Sequence, residues 1–331
     1  MRLFYKYHGI VSRVYSTKYG MQSCDTFTLS FNLTILGTGS ATPVLTRNPT
    51  AHYLQIEQDG YLIDCGEGTQ NQLLRFKLRP TRLKYIFITH LHGDHYFGLI
   101  GLISTLNMHR RTDDLWIFGP KGLAEIITIQ LKYSDAWLNF KLHFIETDTK
   151  KSYQLFENEH ITVITIPLIH RVECCGFLFR EKPQKHKIVK ETMPSDLTIE
   201  QIKALKDGKN VLFEDGTIKY NYKDYTIPSV KSKSYAFCSD TLYNEEIIEI
   251  IENVDFLYHE ATFLHDLELR AFQTNHTTAK QAGQIAKKAN VGRLLIGHFS
   301  SRYKDLHPLL EEVRTEFENS ELAVEGMSYE I

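Results

Sequence analysis

The sequence predicts an α/β protein built on mixed β-sheets, and three features of its 331 residues support this class. First, early apolar runs of strand length pair as hairpins, as at 53–57 and 61–64 across a short turn. Second, later runs alternate with stretches of helical length, as expected of mixed α/β sheets. Third, hydrophobic residues make up 42% of the chain, which is ample for a buried core.

The individual elements follow from apolar runs closed by turn residues. The Gly-Thr-Gly-Ser segment at 37–40 ends the first strand, and it lacks the lysine and spacing of a phosphate-binding loop. Thr198 and Gln201 have the spacing of a capping box, which supports a helix there, and 214–217 marks a hairpin turn. The predicted strands are 27–36, 53–57, 61–64, 84–88, 116–118, 143–145, 153–156, 161–168, 176–180, 235–239, 256–259 and 293–297. The predicted helices are 69–78, 96–109, 123–133, 195–206, 245–251, 278–289 and one that starts after Pro308.

Charge and cysteine content narrow the class of protein. A formal net charge of −2 gives no global argument for nucleic acid, so such a partner must be argued from local patches. The five cysteines are odd in number and have no CxxC spacing, which predicts reduced thiols in a cytoplasmic protein. No apolar run reaches about 18 residues, so we expect no membrane span.

Two segments differ from the rest of the chain in composition. Residues 1–20 hold four basic residues and no acid, without the apolar centre and cleavage site of a targeting peptide. We therefore predict a poorly ordered basic extension over 1–26 and a folded domain over 27–331. Residues 181–233 begin with a cationic stretch and lie between two strands, which indicates an insertion. Their charge alone favours a solvated surface excursion.

The segment Thr-His-Leu-His-Gly-Asp-His at 89–95 places four potential metal ligands within six residues, directly after an apolar strand. His90 and His92 alternate along the chain and would share one face. Asp94 and His95 follow in the turn and would project toward a second point. A catalytic zinc ion takes about four ligands and keeps one position open, so this segment suggests two adjacent ions and hydrolytic chemistry.

Two ions need further ligands, and polar residues at the ends of other apolar runs could supply them. His170, Asp240 and His298 each follow such a run, where a polar side chain is costly unless paired or metal-bound. Asp240 has two carboxylate oxygens and could bridge two ions. Asp64 fits a supporting role, accepting a hydrogen bond from a ligand histidine. Each residue alone could equally be a capped structural residue, whereas together with 89–95 they indicate a metal centre.

This constellation resembles the metallo-β-lactamase superfamily. The resemblance implies an αββα sandwich, in which two mixed sheets carry helices on their outer faces and a dinuclear metal site lies at one edge. Within that superfamily the chain is similar to the short-form tRNase Z (ribonuclease Z) family over about residues 30–315. The segments that carry the narrower resemblance are Leu-Gly-Thr-Gly-Ser-Ala at 36–41, Phe-Gly-Leu at 97–99, His-Glu-Ala-Thr at 259–262 and Asn-His-Thr-Thr-Ala at 275–279.

The resemblance implies a zinc-dependent endoribonuclease that removes the 3′ trailer from precursor tRNA. The tRNA would keep a 3′ hydroxyl and the trailer a 5′ phosphate, and two zinc ions per subunit, or manganese or other divalent ions, would activate water against the phosphodiester. Asp94 would orient and deprotonate the water, His276 would protonate the leaving 3′ oxygen, and Glu260 would orient His276. The implied ligand sets are His90, His92, His170 and Asp240 for one ion, and Asp94, His95, Asp240 and His298 for the other.

The family also carries a flexible arm that grips the tRNA body where this chain has its insertion. We therefore expect 181–233 to be a tRNA-binding arm, with Lys182, Lys185 and Lys187 contacting phosphates without reading sequence. The arm departs from the family pattern because it contains no Gly-Pro pair.

A second expected substrate contact is the loop at 43–48, which corresponds to the family's Pro-x-Lys-x-Arg-Asn. Arg47 and Asn48 are expected to contact the RNA, while Leu45 stands at the lysine position. Family members of this length act as homodimers. The expected partners are thus precursor tRNA and a second copy of the chain, with no membrane or DNA partner.

An alternative function is hydrolysis of small esters by the same fold, as in a phosphodiesterase or an arylsulfatase-like enzyme. That activity needs the metal site but not the arm. A third hypothesis, an RNA-binding protein with an inactive site, fits poorly with a complete set of ligand residues.

Overall fold

The computed structural model describes residues 30–228 and 231–331, so the extension predicted at 1–26 lies outside the described residues. Two seven-stranded mixed sheets face each other, and helices cover their outer faces. The αββα architecture expected from the sequence is therefore confirmed. Among the described residues, no helix combines the length and apolar character needed to cross a membrane.

The strands and helices alternate along most of the chain. The strands are β1 (Phe31–Gly37), β2 (Ala51–Ile56), β3 (Asp59–Ile63), β4 (Leu83–Phe87), β5 (Leu115–Gly119), β6 (Leu142–Glu146), β7 (Gln154–Glu157), β8 (Ile161–Leu168), β9 (Cys174–Glu181), β10 (Lys187–Ile188), β11 (Val211–Leu212), β12 (Ile218–Tyr220), β13 (Thr226–Ile227), β14 (Ser234–Cys238), β15 (Phe256–Glu260), β16 (Arg293–Gly297), β17 (Ser320–Leu322) and β18 (Ser328–Glu330). The α-helices are α1 (Thr69–Arg75), α2 (Gly93–Tyr96), α3 (Gly98–Met108), α4 (Leu123–Tyr133), α5 (Ile199–Lys206), α6 (Tyr222–Tyr225), α7 (Ile248–Ile251), α8 (Glu268–Thr274), α9 (Ala279–Lys288) and α10 (His307–Glu316).

Each large sheet is antiparallel at one side and parallel at the other. The first has the order β18-β1-β2-β3-β4-β5-β6 and is parallel from β3 to β6. The second has the order β17-β16-β15-β14-β9-β8-β7 and is parallel from β14 to β17. In sheets of this kind, functional groups gather outside the carboxyl ends of the parallel strands.

Three apolar layers hold the sandwich together. The middle layer lies between the sheets and is rich in aromatic side chains, including Phe87, Phe177 and Tyr258, all of them fully buried. One outer layer packs the first sheet against α1, α3 and α4, and the other packs the second sheet against α9 and α10. The four cysteines in the described part of the chain are buried free thiols, as the sequence predicts.

Most predicted elements occur where the sequence places them, and the strand at 161–168 and the helix at 123–133 have the predicted bounds. The helix predicted over 96–109 is wrong at its start, because it begins at Gly93 as two consecutive helices. The helix predicted over 245–251 begins as a short 3-10 turn. The sequence did not predict α8, β17 and β18.

The segment 181–233 leaves the second sheet between the neighbouring strands β9 and β14. Its ends are close, since the Glu181 amide donates to the Lys233 carbonyl oxygen at 2.9 Å. Within the described residues it contains α5, α6 and two short antiparallel strand pairs, β10 with β13 and β11 with β12. The predicted capping box of α5 is present, with Thr198 as N-cap and Gln201 as its reciprocal partner.

Candidate metal centre

The candidate ligands follow the ends of strands in both sheets. His90 lies just beyond β4, Asp240 just beyond β14, and His298 directly follows β16. Asp94 and His95 lie in α2, so a short helix brings them to the same edge. Residues far apart in sequence thus converge on one cluster.

One group of four ligand atoms surrounds a single point. His92 Nδ1 lies 3.1 Å from His90 Nε2 and 3.2 Å from His170 Nε2. Asp240 Oδ2 lies 3.8 Å from both His90 Nε2 and His170 Nε2. Tetrahedral ligands about 2.0–2.1 Å from a zinc ion lie roughly 3.3 Å from one another, which is close to these separations. The spacing therefore suits one ion.

A second group lies on the other side of Asp240. Asp94 Oδ2 is 3.3 Å from His95 Nε2 and 3.4 Å from His298 Nε2. Asp240 Oδ1 is 3.5 Å from His95 Nε2 and 3.2 Å from His298 Nε2. The two oxygens of Asp240 therefore face different groups, which is the geometry of a bridging carboxylate.

The chemistry of these atoms fits divalent cations. His95 Nε2 and Asp240 Oδ1 are buried and have no hydrogen-bond partner among the described residues, and such an atom costs about 1–3 kcal/mol if nothing compensates it. Burial raises the pKa of Asp94, but His95 and His298 together lower it well below its usual range, so the carboxyl is ionised. Imidazole and carboxylate are ordinary ligands of zinc and related ions. The cluster is therefore suited to hold divalent metal.

A second layer of hydrogen bonds fixes four of the histidine rings. Asp64, which bonds to His95, is wholly buried and accepts a further hydrogen bond from the Thr89 amide at 2.9 Å. The Asp64 carboxylate is therefore fixed in position. Partners of this kind set the ring tautomer and direct the other nitrogen toward the ion. The pairs are His95 Nδ1 with Asp64 Oδ2 at 2.7 Å, His170 Nδ1 with the Asn275 carbonyl at 2.9 Å, His298 Nδ1 with Thr262 Oγ1 at 3.0 Å, and His90 Nδ1 with Thr89 Oγ1 at 3.0 Å.

The backbone around the cluster is strained and closely packed. Asp64 and His298 have φ of 57° and 59°, a left-handed conformation that costs a non-glycine residue about 1–2 kcal/mol. A Cβ at Gly98 would lie 2.0 Å from the Gly66 carbonyl oxygen. Only glycine therefore allows the loop after Asp64 to pack directly against the start of α3.

His276 lies beside the cluster and is held by a buried carboxylate. Its Nδ1 donates to Glu260 Oε1 at 2.9 Å. Burial lowers the pKa of His276, but the charge and hydrogen bond of Glu260 raise it to about 9. Glu260 is wholly buried and also accepts from three backbone amides, those of Thr241, Thr262 and Thr277. His276 can thus be presented in one orientation with a proton to donate.

The cleft over the cluster has a volume of about 640 Å³ and is lined by residues that the sequence motifs do not indicate. Arg171 and Arg270 line it, and within the described residues neither side chain has an ion pair or hydrogen bond. Phe97 also lines it and is 55% exposed. Arg171 could have been found from its position next to His170. No sequence signal indicated Arg270, because α8 was not predicted.

The predicted substrate contacts at 43–48 are engaged within the protein. Arg47 donates to the Tyr303 and Ser300 carbonyl oxygens at 3.1 and 3.2 Å, and the Asn48 side chain donates to Glu325 at 2.7 Å. A contact between these two side chains and RNA would have to replace these bonds.

The predicted contacts at the start of the arm also have protein partners. Lys182 pairs with Glu157 at 2.7 Å and Lys185 with Asp207 at 2.9 Å. Lys187 likewise has a partner. Exposed pairs of this kind are weak, so they leave the lysine charges accessible to a polyanion.

Comparisons with known proteins agree with this fold. A family model described as Anti-Pycsar protein Apyc1 matches residues 31–223. Ribonuclease Z of Cytophaga hutchinsonii is 48% identical over 301 residues, covering 91% of this chain and 96% of the relative. Human tRNase Z, short form, superposes with a TM-score of 0.66 and 27% identity, covering 91% of this chain and 99% of that one. The metallo-beta-lactamase fold protein YhfI of Bacillus subtilis has a TM-score of 0.64 and 19% identity, covering 91% and 100%.

The fold and the carboxylate–imidazole cluster define a protein of the metallo-β-lactamase class. More narrowly, the extent of the similarity to curated relatives decides the family, since it runs over nearly the whole of both chains. The chain belongs to the ribonuclease Z family.

Proposed function

We propose that this protein is a metal-dependent endoribonuclease that removes the 3′ trailer from precursor tRNA. The observation that carries the proposal is a complete double ligand cluster beside the Glu260–His276 pair, in a chain 48% identical to a ribonuclease Z. We further propose two zinc ions per subunit, a homodimer, and a cytoplasmic location. The domain organisation proposed is a catalytic domain over 27–331 with a tRNA-binding arm inserted at 181–233.

The metal ligands proposed are those grouped around the two oxygens of Asp240. Two divalent ions held there would activate water for attack on phosphorus and neutralise charge on the phosphate oxygens. Asp94 lies within 3.4 Å of His95 and His298, so its carboxylate is held in place to orient that water and accept its proton. Asp64 keeps His95 in the tautomer that presents Nε2 to the cluster.

His276 is proposed to protonate the leaving 3′ oxygen of the tRNA. Its Nδ1 is taken by Glu260, which leaves Nε2 as the nitrogen that can reach a substrate. The products would be a tRNA with a 3′ hydroxyl and a trailer with a 5′ phosphate. A group that donates a proton in the transition state contributes typically about 10²–10⁴-fold in rate.

Phosphate binding is proposed for two regions. Arg171 and Arg270 line the cleft and would hold phosphates on either side of the cut.

The arm carries eleven lysines against eight acidic residues, while the whole chain is net negative. The arm joins the sheet at the start of β14, whereas Asp240 lies just beyond the end of that strand. The five residues of β14 separate these two ends by about 17 Å. An arm so placed would reach the tRNA body rather than the cut, with Lys182, Lys185 and Lys187 near its root.

Arg47 and Asn48 are proposed to act on the RNA through the shape of their loop. Their internal hydrogen bonds hold 43–48 against 300–303 and Glu325, beside the cleft that Pro43 lines. Leu45 is fully exposed at the tip of this loop.

The direct test is cleavage of a precursor tRNA that carries a 3′ trailer. The protein loaded with zinc or manganese should make one cut near the last nucleotide of the tRNA body, and a chelator should abolish it. No cut with either metal would overturn the proposal. Deleting 182–232 should abolish this cleavage yet spare much of the hydrolysis of bis(p-nitrophenyl) phosphate. Equal loss of both activities would contradict the assigned role of the arm.

A further inference from the structure

A second cavity lies beside the metal cleft, on the other side of His276. Its volume is about 450 Å³, within the range of about 300–1,000 Å³ typical of small-ligand pockets. Leu242, Tyr243, Leu269 and Phe272 supply its apolar wall, and His276 forms the boundary with the cleft. We call this cavity the α8 groove.

Helix α8 presents different chemistry to the two cavities. Arg270 and Thr274, one helical turn apart, line the metal cleft. Leu269 and Phe272, three residues apart, line the α8 groove and are 71% and 61% exposed. Residues at these spacings share a helix face. The cationic face is suited to phosphate and the apolar face to a flat, weakly polar group.

The C-terminal end of α8 lies between the groove and the residues proposed to act in catalysis. Asn275 caps the helix in a left-handed conformation with φ of 55°, and its carbonyl oxygen accepts from His170 Nδ1 at 2.9 Å. His276 is the next residue, and it belongs to the lining of both cavities. A ligand in the groove therefore lies against the group proposed to protonate the leaving oxygen.

We propose that the α8 groove binds the nucleoside at the 3′ end of the tRNA body, the one directly before the cut. The inference rests on the proposed function. In an in-line displacement the attacking water and the leaving oxygen lie on opposite sides of phosphorus. Asp94 is assigned to the water and His276 to the leaving oxygen. The nucleoside that carries that oxygen must therefore extend past His276, on the side where the groove opens.

The groove suits a base without selecting its identity. Its rim groups Glu268 and Gln281 bond to each other at 3.0 Å. The Tyr243 hydroxyl donates to Glu245. What the groove offers is thus mainly the apolar surface of Leu269 and Phe272. Stacking on such a surface tolerates any base, because every base has a π-face. An enzyme that processes many tRNAs needs this tolerance at the nucleotide before the cut.

The experiment is a double-mutant cycle between protein and RNA. The Leu269→Ala/Phe272→Ala variant and the wild type are each given two precursor tRNAs, one intact and one abasic at the nucleotide before the cut. Stacking contributes about 5- to 100-fold per base. We expect the abasic site to slow wild-type cleavage by at least about fivefold, while the variant cleaves both RNAs at the same reduced rate. Tyr133→Ala, an exposed aromatic truncation on α4, is the matched control and should behave as wild type.

The outcomes separate the inference from the function on which it rests. If the wild type cuts neither RNA, the proposed function fails. If the wild type cuts the intact RNA but the abasic site slows wild type and variant equally, the groove assignment alone is overturned. The metal content of the variant, measured by elemental analysis, should equal that of the wild type, which reports that the metal site is intact. If metal is lost, Leu269→Ala and Phe272→Ala are tested singly by the same cycle.

Discussion

Glu260 and His276 illustrate how a buried carboxylate can hold one imidazole in a defined state. In the part of the chain that the structure describes, five hydrogen bonds end on Glu260, which spreads its charge over fixed donors and prevents it from turning. Glu260 and His276 also stabilise one another's ionised form, since the pKa of Glu260 is lowered by His276 despite the opposing effect of burial. The pair can therefore have its orientation and its ionised state before substrate binds.

The first prediction separates a proton donor from a metal ligand. His276 also lies within 4.8 Å of Asp240 and His298 in ligand-atom distance, so either role is geometrically open. We expect His276→Ala to slow single-turnover cleavage about 10²-fold or more, with metal content unchanged when measured by elemental analysis. Loss of metal together with rate would identify His276 as a ligand instead.

A substitution of Asp94 should affect the cleavage rate and tRNA binding to different extents. We expect Asp94→Ala to reduce the cleavage rate far more than it weakens tRNA binding, because binding is assigned mainly to the arm. Rate is measured in single turnover, and binding by filter retention of precursor tRNA. Comparable losses in both measurements would contradict this division.

His52 is a buried titratable residue away from the metal cluster. Its Nδ1 and the Tyr235 hydroxyl share a hydrogen bond of 2.8 Å, and burial lowers the pKa of His52 to about 3. The unfolded chain would bind the proton below about pH 6.5, so the free energy of unfolding should fall by about 1.4 kcal/mol per pH unit as pH drops from 6.5 toward 3. Between pH 6.5 and 5, urea denaturation should show His52→Leu losing about 2 kcal/mol less than wild type. An equal loss in both proteins would refute this role.

At the scale of single elements, the C-terminal end of α8 positions a candidate metal ligand, although the helix has only seven residues. Asn275 holds His170 through its carbonyl, and the left-handed conformation of Asn275 makes that contact possible. We expect Asn275→Val to weaken metal binding, because a β-branched residue with positive φ costs about 1–2 kcal/mol or more. Asn275→Gly should leave metal binding unchanged. The measurement is the affinity for metal, determined by competition with a chelator. Equal effects of the two substitutions would contradict this role of the left-handed conformation.

The arm offers a second element-scale prediction. Lys203, Lys206 and Lys209 are exposed along one side of α5 and just beyond it, and within the described residues none has an ion-pair partner. Replacing all three by glutamine should weaken tRNA binding and flatten its salt dependence by about one unit of slope per lost phosphate contact. The matched control replaces three exposed, ion-paired lysines outside the arm, Lys84, Lys150 and Lys288. An equal effect of the control would contradict the assignment of the RNA contact to the arm.

Some elements could be predicted from local sequence and others could not. The ends of β4, β14 and β16 were recognisable because a polar residue follows an apolar run, and the structure brings those residues together. α8 was missed because two of its apolar residues point into a groove rather than a core, so no amphipathic pattern marks it. β17 and β18 are only three residues long, and they exist because the sheet edges pair with them.

At the scale of the whole molecule, the sandwich explains why the cluster needs both sheets. The first sheet supplies Asp64 and the 89–95 segment, and the second supplies His170, Asp240 and His298. Each of the two groups around Asp240 combines residues from both halves, so the packing of the aromatic layer between the sheets sets the distances within the cluster. The sequence could predict which residues belong together, but their separations depend on that packing and could not be derived from local pattern.

We propose that strand ends from both sheets gather two divalent cations around Asp240. The most direct measurement is the metal content of the purified protein by elemental analysis, compared with that of Asp240→Asn. We expect two ions per chain in the wild type and a loss at both positions in the variant, since each oxygen of Asp240 faces one group. Fewer than one ion per chain in the wild type, or an unchanged content in Asp240→Asn, would contradict it.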